Sequence, residues 1–353
     1  MQRIALICGG KSPEHEISVR SGKNILAALD RNKYEVQLIG IDQGGVWRLL
    51  EEDQLGKIVP KVGVELSIAP GNKDGQIIRR DTNKAIPEPA AIFLILHGPN
   101  GEDGTIQGLL RLLNLPFIGP DVASSALAMD KDFAKQILKH NGIHVARGMV
   151  FQSHEIEKID YDQVTRKLGP VLFIKPANMG SSVGVNKVMN ATEFKAAIED
   201  AFIYDKKILI EEMIIGRELE CAVMGNEAPK ASTIGEVVVN EAYSYEAKYI
   251  SQTAAKIQIP ARLSEGELAK LQDVARRAYA ALGCEVIARV DMFLTPEGDV
   301  YVNEINTLPG FTSISMYPKL WEYSGISYSE LLDTLLEYAF RRHKSQSSLK
   351  MTW

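Results

Sequence analysis

Residues 288–306 read ARVDMFLTPEGDVYVNEIN, two strand-like segments on either side of a turn that contains Pro and Gly. If the turn is a four-residue loop, Asp291 faces Glu304 across the hairpin. Arg289 then faces Asn306, and all four side chains crowd one patch because residues two apart on a strand share a face. Two carboxylates directly opposite each other repel, and a divalent cation bound by oxygen atoms removes that conflict. The register therefore favours a magnesium site over a hairpin with ordinary surface charges.

The segments upstream predict a chain of mixed α/β and α+β class. In the first third, apolar strand patterns alternate with helical ones, which is typical of a parallel sheet. The expected strands are residues 3–8, 34–41, 91–96 and 115–119, and the expected helices are 18–30 and 103–114. Residues 42–89 are polar and rich in turn residues, which indicates short hairpins or an insertion.

The rest of the chain predicts further strands and helices around the hairpin. A helix at 123–140 leads into a smaller α+β unit with strands at 145–151, 171–175 and 185–189 and helices at 161–168 and 192–202. Strands at 207–213, 217–224 and 231–239 follow, and capping-box sequences begin helices at Ser264 and Ser327. Residues 240–256 lack periodicity, and a loop of that length is usually functional or disordered. The tail from His343 is expected to fray.

Composition limits the classes of function. The chain has 353 residues, 45% hydrophobic and 24% charged, and its net charge of −5 argues against a general nucleic-acid footprint. No apolar run reaches the length of a membrane span, and the N-terminal one is too short for a signal peptide. Cys8, Cys221 and Cys284 lie among apolar neighbours without CxxC spacing, which predicts buried thiols in a reducing cytoplasm.

Residues 175–184 read KPANMGSSVG and follow a predicted strand. Their glycines and serines supply backbone donors for phosphate oxygens, and Lys175 supplies positive charge. The spacing is not that of a P-loop. From these residues alone, a phosphate-binding loop and a flexible loop without a ligand are equally compatible with the sequence.

Other candidate residues have local sequences that favour a structural role. Glu14 lies between the first strand and the first helix, where a carboxylate is favoured electrostatically. His97 ends a buried strand, at the edge where open α/β sheets bind ligands, and it begins an unusually Gly-rich turn. Lys131 and Lys135, on one predicted helix, are compatible with surface charges.

Eight segments together resemble the D-alanine–D-alanine ligases of the ATP-grasp superfamily. In the family's order they are GGKSPEHEIS, LHGPNGEDGTIQG, AMDKDFAK, KPANMGSSVG, LIEEMIIGRE, YEAKY, ARVDMF and VNEINTLPGFTSIS, and the resemblance covers residues 4–340. Each segment alone is weakly specific, whereas eight in order are highly specific. The resemblance implies an ATP-grasp fold of three domains, namely residues 1–120 with the parallel sheet, 121–211, and 212–353 with the metal site and a closing loop at 240–256.

The resemblance also implies roles for individual residues, and it reverses the local preference at Glu14 and His97. The implied ATP-binding residues are Lys131, Lys175, Glu211, Met213, Ile214, Glu218 and Lys248. The implied ligands of two Mg²⁺ (or Mn²⁺) ions are Asp291, Glu304 and Asn306, in agreement with the register. Glu14 would bind the ammonium group of the first D-alanine near His97, and the side chains that would hydrogen-bond to Glu14 are Ser181 and Tyr249. The groups implied at the oxyanion are Arg289 and the Gly310 amide, and those at the second D-alanine are Ser315 and Met316, the latter in place of an expected Leu.

The implied reaction is the ATP-dependent joining of two D-alanines through an acyl phosphate, in the cytoplasm, for peptidoglycan precursor synthesis. The nearest alternative is another ATP-grasp carboxylate–amine ligase, such as a D-Ala–D-Lac or D-Ala–D-Ser enzyme. A non-catalytic nucleotide-binding regulator is disfavoured because the metal and phosphate residues are intact. A nicotinamide dehydrogenase is also disfavoured, because the segment after the first strand lacks the GxGxxG spacing of dinucleotide-binding proteins. The family also implies a homodimer through the N-terminal domain.

Tyr249 is expected to favour a D-amino acid over D-lactate as the second substrate, because this position or its loop differs in depsipeptide-forming relatives. Replacing Tyr249→Phe removes the hydroxyl group and should raise the use of D-lactate relative to D-alanine. The measurement is the ratio of dipeptide to depsipeptide formed when both acceptors compete. An unchanged ratio would contradict this role.

Overall fold

The first sheet is parallel at its centre, as the sequence predicts. In the computed structural model, which describes residues 1–239 and 255–350, β1 (Gln2–Gly9) pairs in parallel with β2 (Tyr34–Ile41) and with β6 (Ala91–Leu96). All residues of β6 are buried, which explains its continuous apolar sequence. Helix α1 (His15–Ala28) connects β1 to β2.

Residues 42–89 extend this sheet, so the expectation of short hairpins is confirmed. The added strands are β3 (Trp47–Leu50), β4 (Val64–Ile68) and β5 (Ile77–Arg79), and the strand order is β5-β4-β3-β2-β1-β6. Each of these strands is antiparallel to the one before it, which allows short connections.

Two further sheets are antiparallel, with strand orders β7-β10-β8-β9 and β13-β12-β11-β14-β15. Their strands are β7 (Gly148–Gln152), β8 (Leu172–Pro176), β9 (Asn186–Val188), β10 (Lys207–Glu212), β11 (Arg217–Gly225), β12 (Lys230–Val239), β13 (Ala255–Gln258), β14 (Val286–Leu294) and β15 (Val300–Asn306). The α-helices that follow α1 are α2 (Thr105–Leu112), α3 (Val122–Met129), α4 (Lys131–His140), α5 (Tyr161–Leu168), α6 (Ala191–Tyr204), α7 (Glu265–Ala281), α8 (Met316–Tyr323) and α9 (Tyr328–Ser347). The proposed domain boundaries after residues 120 and 211 stay predictions.

One hydrophobic cluster joins distant parts of the chain. Ile4 and Phe93, on one face of the first sheet, belong to the same cluster as Leu332 and Leu336 of α9. The first sheet and the last helix are therefore held together mainly by the burial of apolar surface, which stabilises by about 25 cal/mol per Å².

The hairpin formed by β14 and β15 pairs Asp291 with Glu304, as the register predicts. Its loop, residues 295–299, is one residue longer than expected. A β-bulge at Asn303 absorbs the extra residue, so the pairing beyond it is unchanged. Bulges redirect side chains, and the Asn303 Oδ1 atom lies 3.5 Å from Lys175 Nζ in the second sheet.

Two expectations about helices are wrong. The helix predicted at 123–140 is divided into α3 and α4, because Asp130 is extended and its carboxylate accepts hydrogen bonds from the first amides of α4. The chain does not fray at His343, since α9 continues to Ser347.

Two further elements differ from the sequence prediction. Residues 115–119 form only an isolated bridge, Ile92 to Phe117, instead of a strand. Helix α8 was not predicted. Its Pro318 lies in the first turn, where no amide donor is needed. Of the loop predicted at 240–256, residues 240–254 lie outside the described residues, and β13 begins at Ala255.

The three cysteines are free and buried, as predicted. Burial raises the pKa of Cys8, Cys221 and Cys284 to about 12. The thiolate is the reactive form, so these side chains act as apolar core residues. Within residues 1–239 and 255–350, no helix combines the length and the apolar character needed to cross a membrane.

Arg342 ties α9 to the segment that follows β6. Its guanidinium group donates hydrogen bonds to the carbonyl oxygens of Gly119 and Phe117, the latter at 2.7 Å. The guanidinium also lies 4.3 Å from the centre of the Phe117 ring. The side chain is only 4% exposed, so water cannot replace these bonds.

Replacing Arg342→Met should lower the free energy of unfolding by about 3 kcal/mol, because two buried carbonyl oxygens lose their donor. The matched control is Arg341→Met, whose side chain is 69% exposed and should change the free energy by no more than about 0.5 kcal/mol. Urea unfolding monitored by circular dichroism measures both. Equal losses in the two variants would contradict the assignment.

Candidate active site

Three carboxylates lie on adjacent strands of the third sheet. Glu220 on β11 is opposite Asp291 on β14, which is opposite Glu304 on β15. Arg289 compensates two of them. Its Nε atom lies 2.7 Å from Asp291 Oδ1 and 2.9 Å from Glu220 Oε2, and a second nitrogen donates to Asp291 Oδ2 at 2.7 Å. Because Glu220 and Asp291 are almost fully buried, this guanidinium group holds together a face that would otherwise repel itself.

The side-chain oxygen atoms on this face supply some, but not all, of the ligands that a hard cation such as Mg²⁺ needs. Asp291, Glu304 and Asn306 all present oxygen atoms, the ligand type that Mg²⁺ requires. The buried Asn306 Oδ1 atom has no hydrogen-bond partner among residues 1–239 and 255–350. The same ranges contain no group of three or more His, Cys, Asp or Glu side chains suited to a metal. A cation here would therefore need the amide oxygen and oxygens from a ligand such as a phosphate.

Lys131 connects α4 to this face. Its Nζ atom donates to the Met179 carbonyl oxygen at 2.6 Å and lies 3.4 Å from Glu304 Oε2. The expectation that Lys131 and Lys135 are surface charges is wrong, since both are more than nine-tenths buried. Four residues apart, they share one face of the helix, and that face lies against the other sheets.

Glu211 on β10 is held between two lysines. Lys175 Nζ lies 2.6 Å from Glu211 Oε2, and Lys135 Nζ lies 2.5 Å from Glu211 Oε1. Burial alone would raise the pKa of Glu211, but the two ammonium groups outweigh it and lower the pKa to about 2. The cluster thus carries two positive charges and one negative charge, which suits it to an anionic ligand.

Glu14 reaches from the first sheet to the loop after β8, where it accepts a hydrogen bond from Ser181 Oγ. Two glycines make room for its carboxylate. A Cβ atom on Gly98 would lie 2.5 Å from Glu14 Oε2, and one on Gly180 would lie 3.3 Å from it. Burial is the largest influence on Glu14 and raises its pKa. A bound cation would favour the charged form.

His97 and Glu102 are buried beside Glu14. The Nδ1 atom of His97 lies 2.9 Å from the Leu308 carbonyl oxygen, and burial lowers the pKa of His97 to about 4. Burial, with the charge of Glu14, raises the pKa of Glu102 to about 8, and its carboxyl accepts from the Gly98 amide at 2.6 Å. Near pH 7 both are therefore mostly neutral, so neither adds a net charge beside Glu14.

The turn before α8 presents Gly310 and Ser315 to the same space. The Ser315 Oγ atom accepts a hydrogen bond from the Thr312 amide at 3.0 Å and lies 2.7 Å from Thr312 Oγ1. A Cβ atom on Gly310 would lie 2.8 Å from Ser315 Oγ, so only Gly fits without a shift. Met316 packs against Gly235, whose Cβ position is 2.6 Å from its sulfur.

A cavity of about 600 Å³ collects most of the predicted site. The predicted residues that line it are Glu14, His97, Lys131, Ser181, Arg289, Glu304, Asn306, Gly310, Ser315 and Met316. Asp291 joins them through Arg289. Those that do not line the cavity are Lys175 and Glu211, which pair with each other, and Met213, Ile214 and Glu218, which lie around the β10–β11 connection. Lys248 and Tyr249 lie outside the described residues.

Sequence reasoning did not assign Glu220, Glu102 or Lys135 to the site. Glu220 could have been found, because it lies two residues after Glu218 on the same strand and therefore shares its face. Glu102 and Lys135 carry no such signal. Their environments depend on loops and sheets that only the folded chain brings together.

Comparison with known proteins gives consistent matches over the whole chain. Residues 3–120 match the D-ala D-ala ligase N-terminus family, and residues 137–337 match the D-ala D-ala ligase C-terminus family. A D-alanine–D-alanine ligase from Oceanobacillus iheyensis is 49% identical, with 99% of this chain and 98% of the relative covered. D-alanine–D-alanine ligase A of Escherichia coli K12 is 45% identical, with 99% of each chain covered.

Comparison with solved structures also identifies ligases of this kind. The D-alanine–D-alanine ligase from Coxiella burnetii has a TM-score of 0.85 at 38% identity, and the match covers 98% of this chain and 97% of that one. A D-Ala:D-Ser ligase from Enterococcus faecalis, VanG, has a TM-score of 0.86 at 34% identity, with 96% and 99% covered.

The fold and the matches define the class of protein, which is an ATP-using ligase with the ATP-grasp fold, as the sequence resemblance implied. The chain belongs to the D-alanine–D-alanine ligase family, whose members make D-Ala-D-Ala for peptidoglycan synthesis.

Gly98→Ala should displace the Glu14 carboxylate, because the backbone φ is +72° and the added Cβ would lie 2.5 Å from Glu14 Oε2. We expect KM for D-alanine to rise about tenfold, which corresponds to about 1.4 kcal/mol of binding. The matched control is Gly108→Ala in α2, where an added Cβ meets nothing within 4 Å. D-alanine saturation kinetics measure both. Equal KM values for the two variants would exclude this role for Gly98.

Proposed function

We propose that this chain joins two D-alanines, using ATP, through an acyl phosphate of the first D-alanine. The observation that carries the proposal is one cavity lined both by Glu14, a carboxylate that can bind an ammonium group, and by the cationic Arg289. An amino acid carries both an ammonium group and a carboxylate, so a cavity lined by groups of both charges suits it.

Glu14 would bind the ammonium group of the first D-alanine, with Ser181 fixing its orientation. Neutral His97 and Glu102 beside it add no charge that competes. The substrate carboxylate would then point toward Lys131 and the acidic face of the third sheet.

ATP would bind between the second and third sheets. The residues that would contact the phosphates are Lys131, Lys175 and Lys248. Glu211, Met213 and Ile214 would line the adenine pocket, and Glu218 would bind the ribose hydroxyl groups. Phosphoryl transfer depends mainly on positioning and charge neutralisation, which lysines supply without a protein nucleophile. Two Mg²⁺ or Mn²⁺ ions, held by Asp291, Glu304 and Asn306, would neutralise phosphate charge when bound.

The amine of the second D-alanine would attack the acyl phosphate carbon, and phosphate would leave. Arg289 and the Gly310 amide would stabilise the oxyanion that develops. Ser315 would bind the carboxylate of this second substrate, beside Met316. Exclusion of water, in which Tyr249 would take part, prevents hydrolysis of the acyl phosphate.

We also propose that the enzyme is a homodimer through its N-terminal domain and works in the cytoplasm, where ATP is available. Both statements rest on family resemblance. Sedimentation of the full chain distinguishes monomer from dimer.

The experiment that tests the function measures phosphate release from ATP and Mg²⁺ with D-alanine, L-alanine, or D-alanine plus D-serine or D-lactate. We expect release with D-alanine alone, a dipeptide by mass spectrometry, and no release with L-alanine. EDTA should abolish the activity, and Mg²⁺ or Mn²⁺ should restore it. Release only when D-serine or D-lactate is added would identify a different acceptor. ATP binding without release under every condition would support a regulator instead.

A further inference from the structure

Lys135 has an environment that the proposed reaction does not explain. It lies one helical turn after Lys131 but does not line the substrate cavity. Its side chain is 9% exposed and its ammonium group lies 2.5 Å from Glu211 Oε1. A buried lysine is energetically costly unless its charge is compensated, so this contact needs a reason.

Each carboxylate oxygen of Glu211 contacts a different lysine. Lys135 takes Oε1, and Lys175 takes Oε2 at 2.6 Å. Lys175 also lies 3.5 Å from Asn303 Oδ1, on the side of the third sheet. Lys135 lines a separate pocket of about 500 Å³, whose walls include residues 142–148, Tyr301 and Glu211 itself. Lys135 therefore contacts Glu211 within a pocket that Lys175 does not line.

We propose that Lys135 is a positioning residue for ATP, acting through Glu211 to keep Lys175 available to the nucleotide. With Lys135 in place, each oxygen atom of Glu211 pairs with one lysine. The three side chains then carry one positive charge in excess. Without Lys135, Glu211 pairs with Lys175 alone. Lys175 is then neutralised, and the phosphates lose a cationic contact. This inference rests on the proposed ATP-dependent ligase activity.

The same arrangement makes ATP binding sensitive to alkaline pH. Burial is the largest influence on Lys135 and lowers its pKa to about 8, with Glu211 opposing that shift and Lys175 adding to it. Glu211 has a pKa of about 2 and stays ionised. The charged or titratable groups around Lys135 are Glu211, Lys175 and Glu304 from the strands, Lys131, Asp132 and Lys139 from its own helix, and His144, Arg147 and Tyr301 from the pocket. As pH rises through about 8, Lys135 loses its charge, and the negative charge of Glu211 is then balanced by Lys175 alone.

The test compares Lys135→Met with Lys139→Met in the full-length enzyme. Lys139 is exposed, lies one turn later on α4 and lines the same pocket, so it controls for loss of a nearby charge. We expect Lys135→Met to raise KM for ATP about tenfold while kcat and KM for D-alanine change less than about threefold. Lys139→Met should leave all three near wild type. An unchanged KM for ATP in Lys135→Met would overturn the proposal.

Two further readouts separate positioning from a general structural role. In the wild type, KM for ATP should rise between about pH 7.5 and 9.5, and in Lys135→Met this rise should be absent. The effects of Lys135→Met and Glu211→Gln should also be less than additive, because one acts through the other. A flat wild-type profile would overturn the proposal even if the Met variant fails to fold, and additive effects would overturn it if that variant folds. A wild type that forms no dipeptide would refute the proposed function instead.

Discussion

The compensation of buried carboxylates on the third sheet is the constraint on which the site depends. Glu220, Asp291 and Glu304 occupy neighbouring strands, and strand spacing keeps them too close to be stable alone. Arg289, on the same sheet, forms ion pairs with Glu220 and Asp291. Lys131, on α4, lies close to Glu304. The position of α4 relative to this sheet is therefore tied to charge as well as to packing.

Charge compensation also determines the neighbouring contacts, but in one of them the positive charges are in excess. Around Glu211, two lysines from different elements converge on one carboxylate. At Glu14, a carboxylate from the first sheet meets a hydroxyl group from the loop after β8. Each cluster is made by side chains from separate parts of the chain and carries an imbalance of charge or hydrogen bonding. Such imbalance is tolerated in a folded protein where a ligand completes it, and it is consistent with a site for ATP and amino acids.

The sequence predicts those features that depend on short-range periodicity. The pairing of Asp291 with Glu304 followed from alternation along two adjacent strands, and β6 from an unbroken apolar run. The longer hairpin loop and the bulge at Asn303 offset each other, so a wrong loop length still gave the right partners.

Features that depend on long-range packing could not be predicted from the periodicity of the sequence. The burial of Lys135 requires α4 to meet β10, which is distant in sequence. The break between α3 and α4 depends on Asp130, a residue that also fits a helix start in isolation. The family resemblance supplied roles for ten residues that line the cavity, because it carries information about packing that periodicity does not.

The shared core of the first sheet and α9 has a consequence for how the chain is made. Ile4 and Phe93 leave the ribosome early, whereas Leu332 and Leu336, which pack in the same cluster, are translated near the end. Throughout synthesis, part of the first sheet is therefore an exposed apolar surface, and such surfaces attract other nascent chains. Folding of the N-terminal region is completed only after translation is nearly finished, which makes the growing polypeptide a client for chaperones that shield apolar surface.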